Sequence, residues 1–240
     1  MMVSLNSDMG ESFGIHSFGN DDELVSLIDT ANVACGFHAG DPTGIRETVA
    51  KAVAGGVTVG AHPGLPDLVG FGRREMKLLP DEAEDIVRYQ VGVIVAFLRA
   101  EGAELDHIKA HGSLYGMSAR EPEIAEAVAR VAADYEVPLF GIASSEHEKA
   151  ARKLDVPFVA EFYVDLGYRA DGSLIVARRP HATPVDEATE RAKRALADGI
   201  ATAVTGEEFA IRVDSICVHS DTPNAVDIAK AVRGVLSAHG

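Results

Sequence analysis

Apolar positions along this 240-residue chain fall into two patterns that take turns. Short, mostly β-branched runs of strand length alternate with longer segments whose apolar residues recur every three or four positions. The short runs are VSLNSD, ANVACGFH, VTVGAH, HIKAH, VPLFGIA, PFVAEFY and SICVHSD, and they predict seven strands. VPLFGIA ends in Ser144 and Ser145. The other six reach a residue able to do chemistry: Asp8, His38, His62, His111, Glu161, and His219 with Asp221. The clearest helix is expected from about Asp81 to Glu101, with Val87, Val91, Ile94, Val95 and Leu98 as its stripe and Gly102 as its stop. Others are expected from Pro42 (Ile45, Val49, Ala52 and Val53 on one face), over Pro122–Tyr135, Asp186–Ala197 and Asn224–Leu236, and in DDELVSLIDTA. Asp171-Gly172 between apolar runs signals a β-hairpin.

Strands alternating with helices predict a mostly parallel sheet. An open doubly wound sheet concentrates its site at one switch point, whereas a closed barrel gathers all its strand C-termini on one face. Polar residues end strands along the whole chain, which favours a TIM-like β/α barrel with one pocket. No linker, repeat or low-complexity tract divides it, so residues 1–240 read as one catalytic domain.

Composition narrows the partners. Asp and Glu total 37 against 22 Lys and Arg, a net charge of -15. That field repels phosphate backbones and anionic lipid, which argues against nucleic acid or membrane. Cys35 and Cys217 lie inside strand-like runs, in no metal-type spacing, and read as small core residues of a reducing compartment. MMVSLNSD enters a strand without the basic start of a signal peptide, so a cytoplasmic location is expected.

Five clusters carry candidate chemistry. Asn6, Asp8 and Glu11 follow the first strand, where two carboxylates across a Gly turn suit metal ligation or acid-base work. His38 is placed for proton transfer, with Asp41 three residues on either orienting it or, before Pro42, capping a helix. His62 precedes a loop whose Arg73-Arg74 pair can hold a carboxylate or phosphate. Lys109 and His111, two apart, share one side of a strand, so Lys109 stands in the barrel or in a buried ion pair. His219 and Asp221 close the set. His16, His107, His147 and His239 have no such setting and are expected at the surface. A G-x-x-x-x-G-K-[ST] loop, a G-x-G-x-x-G turn, a G-x-S-x-G elbow and an H-E-x-x-H helix are all missing, so any nucleotide is expected to bind elsewhere.

NSDMGESFG, ANVACGFHAGDP, GAHPGLPDLVGFGRR, KAHGSLYG, AEFYVDLGYRADGSL and CVHSDTPNA together resemble the LamB/YcsF family, that of the A-subunit of bacterial ATP-dependent 5-oxoprolinase. The resemblance spans nearly the whole chain. It implies an irregular seven-stranded β/α barrel of the glycoside hydrolase/deacetylase type. It also implies opening of 5-oxo-L-proline to L-glutamate, driven by ATP and requiring partner subunits B and C, which would bind the ATP. It carries function onto Asp8, Glu11, His38, His62, His111, Glu161, His219 and Asp221. Ser7 stands where the family motif N-C-D has its thiol, so that thiol is dispensable. The expected division of labour makes His38 or His62 the base and Asp8 or Glu161 the acid, with Asn6, Glu11, Arg73, Arg74, Lys109, His219 and Asp221 binding substrate. One alternative is a metal-dependent carbohydrate deacetylase in which Asp8 and two of His38, His62 and His111 hold a divalent ion; another is a non-catalytic subunit whose polar strand ends only capture a lactam.

Overall fold

Strand β1 (Ser4–Met9) buries both its faces because its neighbours curl around it: Leu5 and Met9 are buried on one face, Asn6 and Asp8 on the other. The computed structural model describes residues 2–177 and 180–239. The chain continues through α1 (Asp21–Leu24), β2 (Thr30–Ala34), α2 (Pro42–Ala54), β3 (Thr58–His62), α3 (Pro80–Ala100), α4 (Gly112–Arg120) and α5 (Pro122–Asp134). It then forms β4 (Leu139–Gly141), α6 (Glu146–Lys153), β5 (Phe158–Tyr163), β6 (Gly167–Tyr168), β7 (Leu174–Ile175) and α7 (Val185–Asp198). The last elements are β8 (Ile200–Thr202), β9 (Glu208–Ala210), β10 (Ser215–Cys217) and α8 (Ala225–His239).

Six strands form one parallel sheet in the order β3-β2-β1-β10-β5-β4. The expected seventh, HIKAH, is not a strand. Ile108 alone makes a parallel bridge to Ala61 on one side and to Leu139 on the other, so this segment runs between the two sheet edges. Proline explains the interruption. After Asp106 N–H donates to the Val59 carbonyl, Ala61 N–H donates to the His107 carbonyl and Lys109 N–H to the Ala61 carbonyl. The next donor of this ladder would be residue 63, a proline with no N–H. The Lys109 carbonyl instead accepts from the His62 ring at 2.8 Å. On the other side Pro138 accepts from the Ile108 amide at 3.0 Å but has no N–H with which to extend the pairing backward. The sequence expectation of a seven-stranded barrel is therefore corrected to a curled six-stranded parallel sheet.

The convex face packs against helices through an apolar core that includes Leu5, Val33, Val87, Val91, Ile94, Ile216 and Ile228. The concave face is polar: Asn6, Asp8, Asn32, Lys109, Glu161 and Ser215 are all buried and hydrogen-bonded to one another or to Tyr side chains. Asp41 caps α2, accepting from the Thr43 and Gly44 amides, with Pro42 at the first helical position. The expected hairpin is present as β6 paired antiparallel with β7. A second hairpin, β8 with β9, has no counterpart in the sequence expectation.

Candidate active site

Asp8 is the hub. Its Oδ1 accepts from Lys109 Nζ at 2.8 Å and from Asn32 Nδ2 at 2.7 Å. Its Oδ2 lies 3.3 Å from His62 Nε2 and 3.5 Å from His219 Nε2. Burial alone would raise its pKa, but the charges of His62 and Lys109 outweigh that and hold the carboxyl well below its ordinary value. Lys109 is buried between two acids, 3.1 Å from Glu161 Oε1, in an orientation that makes no hydrogen bond to that oxygen. Its Nζ also donates to Cys217 Sγ at 3.1 Å and, at 3.4 Å, to Asn6 Oδ1. Burial works against this ammonium, yet Asp8, Cys217 and Glu161 together keep it charged far above the usual lysine range. The other Glu161 oxygen accepts from the hydroxyls of Tyr163 at 2.9 Å and Tyr115 at 3.3 Å.

His219 forms one wall. Its Nδ1 stands 3.1 Å from Asp165 Oδ1, which turns Nε2 toward Asp8. Burial favours the neutral ring, but Asp165 overrides it and raises the His219 pKa. Asp165 also accepts from the His219 amide and the Thr222 hydroxyl, which fixes it in place.

On the opposite side Glu11, His38, His62 and His111 come together, each offering a ligand atom within 4.8 Å of the others'. Glu11 Oε1 is 3.2 Å from His38 Nε2 and 3.6 Å from His111 Nδ1. Burial, and then the charges of Asp8 and Asp221, raise Glu11 well above the usual carboxylate range. Burial likewise depresses His38 and His111 far below the usual histidine value. The Gln90 amide pins the Gly64 backbone through two hydrogen bonds, 3.0 and 2.9 Å. A Cβ on Gly64 would meet His38 Nδ1 at 2.6 Å, so only glycine fits there. Phe71 adopts φ 56°, a strained value for a bulky residue that costs about 1–3 kcal/mol, and aims its carbonyl at His111.

The sequence-named residues thus converge. His38, His62 and His111 lie with ring centroids 3.6 to 5.6 Å apart, and His219 faces them across Asp8. Asp8, His62, His111, Lys109, Arg73 and His219 line one cavity of about 30 Å³, room for a water or two. Asn6, Glu11 and Glu161 support it from behind. Arg73 reaches the cavity but pairs with Asp221 at 2.8 Å, while Arg74 turns away to Asp67.

Of the two roles open to Asp41 the structure takes the cap, and Glu11 is the acid that touches His38. Two expectations are corrected. Asp8 groups with Cys217 and His219 as possible ligands, and Glu11 takes its expected place beside the three histidines. His107 and His147 are buried, not superficial: His107 Nε2 bonds Asn32 at 2.6 Å and His147 Nε2 meets Ser118 at 2.8 Å. Sequence reasoning also missed Asn32, Asp165, Tyr115 and Tyr163. Asn32 is a polar residue inside an apolar run, and Asp165 follows Glu161 by four, the only signals either gives.

A curled parallel sheet with a buried histidine-carboxylate cluster at its strand ends defines an α/β protein with an enzyme-like site. The chain belongs to the LamB/YcsF family, whose model matches residues 3–240. It is similar to the 5-oxoprolinase A-subunit of Brevibacillus brevis, 45% identical over 99% of this chain and 95% of that protein. The protein of the same name from Pyrococcus furiosus is 45% identical over 100% and 96%. The "Lactam Utilization Protein" of Thermus thermophilus superposes with a TM-score of 0.90 at 43% identity, over 99% of this chain and 97% of the other. No helix among the described residues is long and apolar enough to cross a membrane.

Proposed function

We propose that this chain is the lactam-opening subunit of a multi-subunit 5-oxoprolinase, converting 5-oxo-L-proline to L-glutamate as a single cytoplasmic catalytic domain. The observation that carries the reading is the Asp8-centred network, which puts an ionised acid, a charged lysine and a raised-pKa histidine around one cavity. The names of the relatives support the substrate. An unstrained lactam needs activation, and this chain lacks nucleotide-binding motifs and carries a net charge of -15. Partner subunits B and C would therefore bind ATP and transfer its γ-phosphoryl group to the ring carbonyl oxygen.

Water then adds to the carbonyl carbon, and the ring C–N bond breaks as the nitrogen takes a proton, leaving an acyl phosphate; a second water hydrolyses it to the carboxylate and inorganic phosphate. Asp8 is held ionised and has no proton to donate, so this reading has it orient the attacking water and accept its proton, in place of the acid role expected from sequence. His219, held toward its protonated form by Asp165, supplies the proton to the nitrogen. His62 lines the cavity beside Asp8, whereas His38 is walled off behind it. Arg73 receives the substrate carboxylate by exchanging it for Asp221. Acid-base help of this kind is worth roughly 10²–10⁴-fold. The test is conversion of 5-oxoproline to glutamate with ATP, with and without the partner subunits. Glutamate is expected only from the complete mixture, and full turnover by this chain alone would sink the division of labour.

A further inference from the structure

The backbone fixes the hydrogens on two histidines of the cluster. His62 Nδ1 lies 2.8 Å from the Lys109 carbonyl oxygen, and His111 Nε2 lies 2.8 Å from the Phe71 carbonyl oxygen. A carbonyl only accepts, so each of these nitrogens carries a hydrogen. In the neutral rings His62 Nε2 and His111 Nδ1 are then bare, and they face each other at 3.0 Å. Two lone pairs at that separation require a cation beside them. One proton on His62 would satisfy that pair and Asp8 Oδ2 beside it, but it would not account for a further carboxylate oxygen at the same point. A third donor, Glu11 Oε1, converges on the same point, 3.6 Å from His111 Nδ1. Glu11, His62 and His111 each offer a ligand atom within 4.8 Å of the others'.

We propose that His62 Nε2, His111 Nδ1 and Glu11 Oε1 hold a divalent transition-metal ion of the zinc type. Tetrahedral bonds of about 2.0–2.1 Å set neighbouring donors ~3.3 Å apart, and the observed 3.0 and 3.6 Å bracket that spacing. Two imidazoles with one carboxylate, leaving a position open, is a donor set of catalytic zinc, and its nitrogens disfavour calcium or magnesium. Ligand imidazoles commonly give their second N–H to a backbone carbonyl, as both rings do here. His38 is a positioning residue. Its ring stacks on His111 at 3.6 Å with planes 6° apart, so its lone pairs run alongside those of His111 and do not meet them at one ion. Its Nε2 reaches the same Glu11 oxygen at 3.2 Å and steadies that ligand. Asp8 Oδ2, 3.3 Å from His62 Nε2, stands beside the site on the cavity side.

The site does not depend on the lactam reading, because binding is measured without substrate. The whole chain, stripped with a chelator, would be titrated with Co²⁺ and then with Zn²⁺. A single equivalent of cobalt should bind, show the visible absorption of a low-coordinate ion, give way to zinc, and raise the melting temperature. His62→Gln, His111→Gln and Glu11→Gln should each weaken binding by roughly 100-fold or more, and His38→Gln by about 10–100-fold with the cobalt band positions unchanged. His16→Gln, on an exposed loop, should change nothing. Folded, unmodified protein that takes up no stoichiometric cobalt would overturn the proposal and leave a shared proton between the rings. Binding undiminished in a folded His62→Gln/His111→Gln double variant would overturn it equally. Cobalt uptake without lactam opening in the full assembly would defeat only the proposed function.

Discussion

His147 is buried with its Nδ1 accepting from the Ile142 amide at 3.2 Å and its Nε2 meeting Ser118, so it folds as a neutral ring. Burial pushes its pKa from 6.5 down to about 3. An unfolded chain takes up that proton near 6.5, whereas the folded one holds off until about 3. Below 6.5 the unfolded state binds more protons, so this stability is complete above 6.5 and drains away as pH falls toward 3. The effect is of the order of a few kcal/mol. His147→Gln, which keeps an amide for the two hydrogen bonds, should flatten the fall in melting temperature between pH 6.5 and 4. The flattening is partial, since His38 and His111 are depressed in the same direction; parallel curves would clear His147 of the role. Asp8→Asn, tested in the complete assembly, should lower turnover by roughly 10²-fold or more by removing the ionised carboxylate to which the proposed mechanism gives the water's proton. Activity within a few-fold of the parent would reduce Asp8 to a structural partner of Lys109. Strand-end histidines were legible because position alone marked them. His107 and His147 were not, because what buries a histidine safely is a partner from elsewhere, here Asn32 and Ser118.

Leu174 and Val176, on and just after β7, line the 30 Å³ site cavity on one side and a cavity of about 770 Å³ on the other. The smaller cavity admits water but not a lactam ring. The β6–β7 hairpin is a two-residue pairing whose turn is Asp171-Gly172, with Gly172 at φ 79°. So short a ladder opens at low cost compared with the sheet behind it. Amide exchange over residues 167–175 should therefore be faster than in β1 and β5 and should slow when 5-oxoproline is added. Unchanged exchange would mean that substrate enters elsewhere. The hairpin itself was legible from its Asp-Gly turn, as was α3 from its apolar stripe. Two helices were not. Segment α4, GSLYGMSAR, starts on one glycine and contains another, and α6, EHEKAARK, buries only His147, Ala150 and Ala151. Tertiary packing, not propensity, makes both helical. The lost seventh strand was overestimated for the opposite reason: HIKAH has a strand's pattern, but Pro63 and Pro138 deny it the neighbouring donors.

Across the whole molecule the alternation of strands and helices gave the parallel sheet, and the polar strand ends gave the shared pocket, because both are periodic features of one chain. The polar lining of the concave face was less visible, since Asn6, Asn32 and Ser215 acquire meaning only once three strands stand side by side. Charge is the remaining property of this scale. The net charge of -15 surrounds a cavity whose two cations are already paired, Lys109 with Asp8 and Arg73 with Asp221. Arg73→Ala should raise KM for the lactam more than it lowers kcat if, as proposed, the guanidinium binds a group remote from the reacting bond. An unchanged KM would leave Arg73 as a partner of Asp221 alone. The long-range field makes a separate demand. An anionic lactam approaches against it, and the repulsion reaches about 30 Å at 0.01 M salt but only about 10 Å at 0.1 M. Binding of 5-oxoproline to this chain, followed by calorimetry, should therefore tighten a few-fold as salt rises over that range. Weakening instead would show that Arg73, released from Asp221, governs the approach and that the surface acids lie too far from the mouth to matter.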